Sequence, residues 1–163
     1  MVDMELERDR LPPVEAAACP TRTEKFVTFH LGETLYAVLA AAVAEVTHPL
    51  PVTSLPNAPA ALMGISPLRG EIIASMDLRR LLGDVPPRSI SPKSKQLVFK
   101  RRSAEALPIA FTADRLGEIV TLDLSEIRPE GSGNGYLAGV ATVDDRNIMV
   151  IDHSKLAAAI EPI

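Results

Sequence analysis

The rhythm of polar and apolar positions changes at Lys25. Before it, residues 1–24 follow neither a strand nor a helix period, and Pro12, Pro13 and Pro20 interrupt the run. This stretch reads as a flexible N-terminal arm, with a short helix over Val2–Leu11 as its one regular feature. From Lys25 onward, Phe26, Thr28 and His30 alternate with Val27, Phe29 and Leu31. That β-branched and aromatic run predicts a strand. Gly32-Glu33 predicts a tight turn and Leu35–Leu39 a second strand. Ala40–Ala44 is helical by propensity, whereas Val43–Thr47 fits a third strand. Pro51, Pro56 and Pro59 make Leu50–Pro59 a loop, with one helical turn expected over Ala60–Met63. Gly64–Leu68 and Glu71–Met76, joined at Arg69-Gly70, predict a hairpin. Asp77 is placed to cap a short helix, Leu78–Leu82, which Gly83 ends.

Residues 84–94 hold Pro86, Pro87 and Pro92 among polar groups and read as a linker. Strands follow at Lys95–Arg101, Ala106–Thr112 and Arg115–Leu122. Pro129–Asn134 predicts a Gly-rich turn. Tyr136–Val143 and Asn147–Ile151 form a second hairpin, and His153–Ala159 a closing helix. The expected organisation is an arm (1–24), a first subdomain (about 25–83), the linker, a second subdomain (about 95–157) and a tail (158–163).

An internal repeat underlies this pattern. Laid over one another 75 residues apart, Gly64 meets Gly139, Ile65 meets Val140 and Leu68 meets Val143. Arg69-Gly70 meets Asp144-Asp145, Ile73 meets Ile148, Asp77 meets Asp152 and Leu81 meets Leu156. Each copy is strand, tight turn, strand, capping Asp, short helix. Neither Asp has Glu or Gln three positions later, so both are plain caps. Short strands and hairpin turns used twice predict an all-β fold of two packed β-barrels with short helices. Each copy is small for its own core, so the two are expected to share apolar surface.

Composition narrows the function. Of 163 residues 47% are hydrophobic but only 4% aromatic, without Trp, so the core is aliphatic and base stacking has little to work with. Seventeen basic against 21 acidic residues give a net charge of −4, which disfavours a phosphate-backbone partner. The single Cys19 excludes an intramolecular disulfide and a Cys-rich zinc site, and fits a reducing compartment. Met1–Arg10 has no apolar signal region, and the longest weakly polar run, Leu35–Val43, is far short of the roughly 20 residues of a span. A cytoplasmic protein without membrane insertion is expected.

Candidate chemistry is sparse. His30, His48 and His153 are scattered, and no metal site is expected. Gly64-Ile65-Ser66-Pro67 is not a nucleophile elbow, which needs Gly two residues after Ser. Gly131, Gly133 and Gly135 precede a strand and read as a turn, not a phosphate cradle. Asp144-Asp145 is explained by turn propensity. Arg79-Arg80 and Lys100-Arg101-Arg102 are solvated faces or docking patches. The residues thus favour a binding module, with no cofactor and no nucleic acid, whose place of binding is the apolar groove between the barrels. A stand-alone ligand-binding β module, or a small hydrolase using Asp144, Asp145 or His153, stays open on these grounds.

The order of motifs resembles the CheW-like chemotaxis coupling domain over about residues 25–157. Phe29-His-Leu31-Gly32-Glu-Thr-Leu-Tyr36-Ala37-Val38 matches the family's opening strand. Val43-Ala-Glu45-Val46 and Leu55-Pro56-Asn-Ala-Pro59 follow in order. Gly64-Ile65-Ser66-Pro67-Leu68-Arg69-Gly70, Ile72–Met76 and Asp77-Leu78-Arg79 match its most specific block. Ile109–Asp114, Gly117-Glu118-Ile119 and Tyr136-Leu-Ala-Gly139-Val140 resemble its second half. The family's Asn before Leu-Arg-Gly is Pro67 here, which removes a backbone N–H.

The resemblance implies two five-stranded SH3-like barrels and a non-catalytic adaptor. It implies as partners the regulatory domain of a histidine kinase, the cytoplasmic tip of a methyl-accepting chemoreceptor, and other CheW-like domains. Arg69 is the first candidate contact, because a guanidinium's donor fork suits a carboxylate. Ile65, Leu68, Val140 and Val143 are groove or core candidates, Pro67 is a partner-binding candidate where the departure from the family changes docking, and Glu45 and Arg79 support or decorate the interface.

Overall fold

The structure is a computed structural model and describes residues 22–83, 91–129 and 135–156. The Val2–Leu11 helix, the arm up to residue 21, linker residues 84–90, turn residues 130–134, the closing helix beyond Leu156 and the tail lie outside the described residues.

In the first half, β1 (Thr23–Leu31) and β2 (Thr34–Leu39) form a hairpin around Gly32, whose φ is +64°. A single 3₁₀ turn, Ala40–Ala42, leads into β3 (Val43–Thr47), so the Ala run forms no α-helix. β4 (Leu62–Leu68) and β5 (Glu71–Met76) form the next hairpin, followed by α1 (Leu78–Leu82). The expected helical turn at Ala60–Met63 is absent because Leu62 pairs with Met76 and buries its side chain. In the second half come β6 (Lys95–Phe99), β7 (Ile109–Ala113), β8 (Arg115–Asp123), β9 (Leu137–Val143), β10 (Arg146–Ile151) and α2 (His153–Leu156). Asp77 Oδ1 accepts from the Arg79 N–H at 3.2 Å, and Asp152 Oδ1 from the Ser154 N–H at 3.2 Å.

The strands build two five-stranded mixed sheets, in the orders β9-β10-β2-β1-β8 and β4-β5-β7-β6-β3. Neither is a barrel, which corrects the expected pair of SH3-like barrels. Closing a sheet needs its edge strands to pair along a ladder. Here β9 and β8 remain edges of one sheet, and β4 and β3 edges of the other. The outer edge of β4 meets a single bridge, Thr53 N to Ile65 O at 2.8 Å and Ile65 N to Thr53 O at 2.9 Å. Arg128 bridges Val140 on β9 in the same way, at 2.9 and 2.8 Å. Pro51, two residues before Thr53, is in phase with the first bridge, and its nitrogen has no hydrogen with which to extend it into a ladder.

Strand exchange is the second departure from a simple repeat. The β1–β2 hairpin of the first half lies in the sheet of β8, β9 and β10, while β6–β7 of the second half lies with β3, β4 and β5. The joins are parallel: Tyr36 on β2 faces Met149 on β10, and Ile109 on β7 faces Ala74 on β5. The repeat of 75 residues carries through, since Ala74 and Met149 are equivalent positions.

The largest apolar cluster takes residues from both sheets and both helices. It joins Phe29, Leu31, Tyr36 and Val38 to Leu97, Phe99, Ile109 and Phe111, with Leu78 of α1 and Leu156 of α2. The Phe111 ring centroid lies 4.9 Å from Phe29 and 5.5 Å from Phe99. A smaller cluster serves each sheet: Phe26, Leu35, Leu122, Ile148 and Val150 in the first, Ile73, Val98 and Ala110 in the second.

Candidate docking site

The β4–β5 turn places Arg69 and Gly70 at φ +51° and +81°, the left-handed pair that a two-residue hairpin requires. Gly70 meets this demand without a side-chain penalty. The Arg69 side chain is 73% exposed, yet its Nη1 donates to Glu45 Oε1 at 2.5 Å. Glu45 sits on β3 beside a bulge in its pairing with β6, at the opposite edge of the sheet from β4. A side-chain ion pair therefore joins two edges that the backbone leaves apart. Glu45 Oε2 is buried without a hydrogen-bond partner. Such an acceptor has lost its water without a replacement.

Around this pair lies a recess of about 230 Å³ lined by Glu45, Leu68, Ile73, Val98 and Phe99 among others. A second ion pair, Arg101 to Glu71 at 2.8 Å, stands on its rim. The site is thus an apolar floor between two ion pairs. Sequence reading singled out Arg101 only as part of a basic run and missed Glu71, because the two are joined across 30 residues.

The structure brings Arg69, Glu45 and Leu68 together at this recess. Pro67 is exposed on the edge strand β4, opposite Ile72, a position where a missing N–H breaks no interior ladder. Ile65 is half-buried and spends its backbone on Thr53. Val140 and Val143 occupy the equivalent places on β9, with Val143 packed against the smaller cluster of the first sheet. The second hairpin tip carries Asp144 and Asp145, at φ +51° and +65°, so the two equivalent tips have opposite charge.

Arg79 belongs elsewhere. Its guanidinium bonds Asp114 Oδ1, and the two side chains are only 13% and 18% exposed. Asp114 Oδ2 also accepts from the Gly32 N–H at 2.7 Å. One carboxylate therefore ties α1, the β1–β2 turn and the β7–β8 connection together. Removing one member strands the other in a poorly hydrated place. Arg79→Ala is expected to lower unfolding stability by about 2 kcal/mol, read from a urea titration. In a double-mutant cycle with Asp114→Ala, a coupling near zero would show that the pair contributes nothing.

The residues of the hydrolase reading do not stand out. Asp144 and Asp145 are exposed at a turn, and the His153 ring lies against Phe99 with centroids 6.2 Å apart. Among the described residues, no group of three His, Cys, Asp or Glu could hold a metal, and no helix is long and apolar enough to cross a membrane.

Comparison with known proteins agrees with this architecture. The model of the CheW-like domain matches residues 25–161. Protein FrzA of Myxococcus xanthus is 30% identical over 152 residues, covering 90% of this chain and 93% of the relative. Chemotaxis protein CheW of Klebsiella aerogenes is 24% identical over 156 residues, covering 93% and 92%. The crystal structure of the scaffolding protein TtCheW from Thermoanaerobacter tengcongensis superposes with a TM-score of 0.70 at 27% identity, covering 80% of this chain and 90% of that one. This chain belongs to the CheW-like domain family and is a non-catalytic chemotaxis adaptor that couples receptors to their kinase.

Proposed function

We propose that the recess at Arg69 is the docking face for the regulatory domain of a histidine kinase. Arg69, Glu45, Leu68 and Pro67 form its contact surface. Ile65, Val140 and Val143 shape the sheet edges, and Arg79 positions the β7–β8 connection. Residues 25–157 act as the docking unit and bridge the kinase to the cytoplasmic tip of a methyl-accepting chemoreceptor. The protein works in the cytoplasm, held at a membrane receptor array through these partners.

The observation that carries this reading is the Arg69–Glu45 pair on the rim of an apolar recess, with Glu45 Oε2 unsatisfied. A partner that inserts an apolar side chain and offers one donor would gain on both counts. Calorimetry with the purified regulatory domain tests it. Arg69→Glu places a second carboxylate beside Glu45 and is expected to weaken binding by about a hundredfold, because the charge reversal turns an attraction for the partner's carboxylate into a repulsion. The urea midpoint should fall only modestly: the Arg69 side chain is mostly solvated, and the cost is the like charge left beside Glu45. Unchanged affinity in a folded Arg69→Glu protein would remove Arg69 from the interface.

A further inference from the structure

A separate recess of about 540 Å³ lies where the β1–β2 turn, the start of β6 and the β7–β8 connection meet. It shares no lining residue with the Arg69 recess. Its walls carry His30, Gly32, Glu33, Ser91, Lys93, Asp114 and Arg115. His30 and Arg115 are direct partners across the β1–β8 ladder, so imidazole and guanidinium enter the space from adjoining strands.

The charges here are unevenly matched. Asp114 is already engaged by Arg79 and by the Gly32 N–H. Lys93, Arg115 and the nearby Arg146 make no ion pair with any described residue. By contrast, Arg69, Arg79, Arg80 and Arg101 all have carboxylate partners. Glu33 is the one lining carboxylate left to oppose them. The local field is felt by His30, whose pKa is lowered by burial and then by Arg115 and Arg146, with Asp114 opposing weakly. A cavity of this size takes a small molecule, and unpaired cations converging on it select an anion.

We propose that this recess binds a phosphate group, held by Arg115 and Lys93 with His30 as a third donor. Arg115 offers a planar fork to two phosphate oxygens, and Lys93 supplies a point charge. This goes beyond the adaptor reading and does not depend on it.

The test uses the full chain and NMR of the His30 imidazole at constant ionic strength. Adding inorganic phosphate is expected to shift the His30 signals saturably and to raise its titration midpoint. The sign follows from the groups that act on it: with Lys93 and Glu33 also lining the recess, a bound phosphate anion offsets the repulsion from Arg115 and Arg146, which Asp114 alone opposes in its absence. Arg115→Gln should weaken binding about a hundredfold, the loss of both charge-assisted bonds of its fork. Lys93→Gln should weaken it as well, with the fold intact because both side chains are exposed. Ribose 5-phosphate in a second arm separates the sources, since tighter binding than inorganic phosphate identifies a phosphate monoester. Two results would overturn the proposal: shifts that chloride reproduces, or shifts of equal size and midpoint in both variants.

Discussion

Phe111→Ala should destabilise the fold by about 4 kcal/mol, the largest loss anticipated from a single side chain here. Phe111 is fully buried and sits between Phe29 of the first sheet and Phe99 of its own. Truncation opens a cavity where the two sheets meet. Its walls are pinned by hydrogen-bonded strands on both sides, so they collapse poorly and the cavity term stays large. Urea denaturation should show a lower midpoint with an unchanged slope. A loss below about 1 kcal/mol would mean the sheets are joined chiefly elsewhere, by the helices α1 and α2.

The second large effect lies at the glycines that the repeat aligns. A Cβ on Gly64 would stand 2.1 Å from the Thr53 carbonyl oxygen, and one on Gly139 would stand 2.2 Å from that of Arg128. Both contacts are with backbone, which cannot rotate aside. Both glycines also follow a register shift at the same place in their hairpins. Gly64→Ala and Gly139→Ala should each cost about 3 kcal/mol and break the two-bond bridge beside them. Gly70→Ala is the control, because nothing lies within 4 Å of its Cβ. It should cost only about 1 kcal/mol for its positive φ. Equal losses at all three positions would show that dihedral strain, not the close approach, sets the cost.

Much of the local structure was legible. The alternation from Lys25, the turn chemistry at Arg69-Gly70 and the capping Asp residues report interactions between near neighbours. The repeat also aligned Gly64 with Gly139, although it could not show why glycine is needed. The reason is a carbonyl on a segment 11 residues away in each copy, Thr53 for Gly64 and Arg128 for Gly139. Other features depended on distant partners. Arg79 reads as a surface residue on a short helix, but Asp114 draws it inward from 35 residues away. Glu45 and Arg69 were separate candidates until the fold joined them across 24 residues. The recess at His30 and Arg115 is not legible in the sequence because its lining comes from three separate segments of the chain.

Periodicity, turn residues and the 75-residue repeat were enough to establish an all-β chain of paired hairpins with capped helices. The family could be named from motif order alone. Which strands pair with which was beyond their reach. Every strand offers the same N–H and C=O groups to any neighbour, and an apolar pattern says which face is buried, not beside whom. Packing settled that each half lends its first hairpin to the other half's sheet, and that a single bridge at β4 and another at β9 leave both sheets open. From that exchange come the shared aromatic core, the ion pair linking β3 to the β4–β5 turn and the cation-lined recess, none of which is written in any one segment.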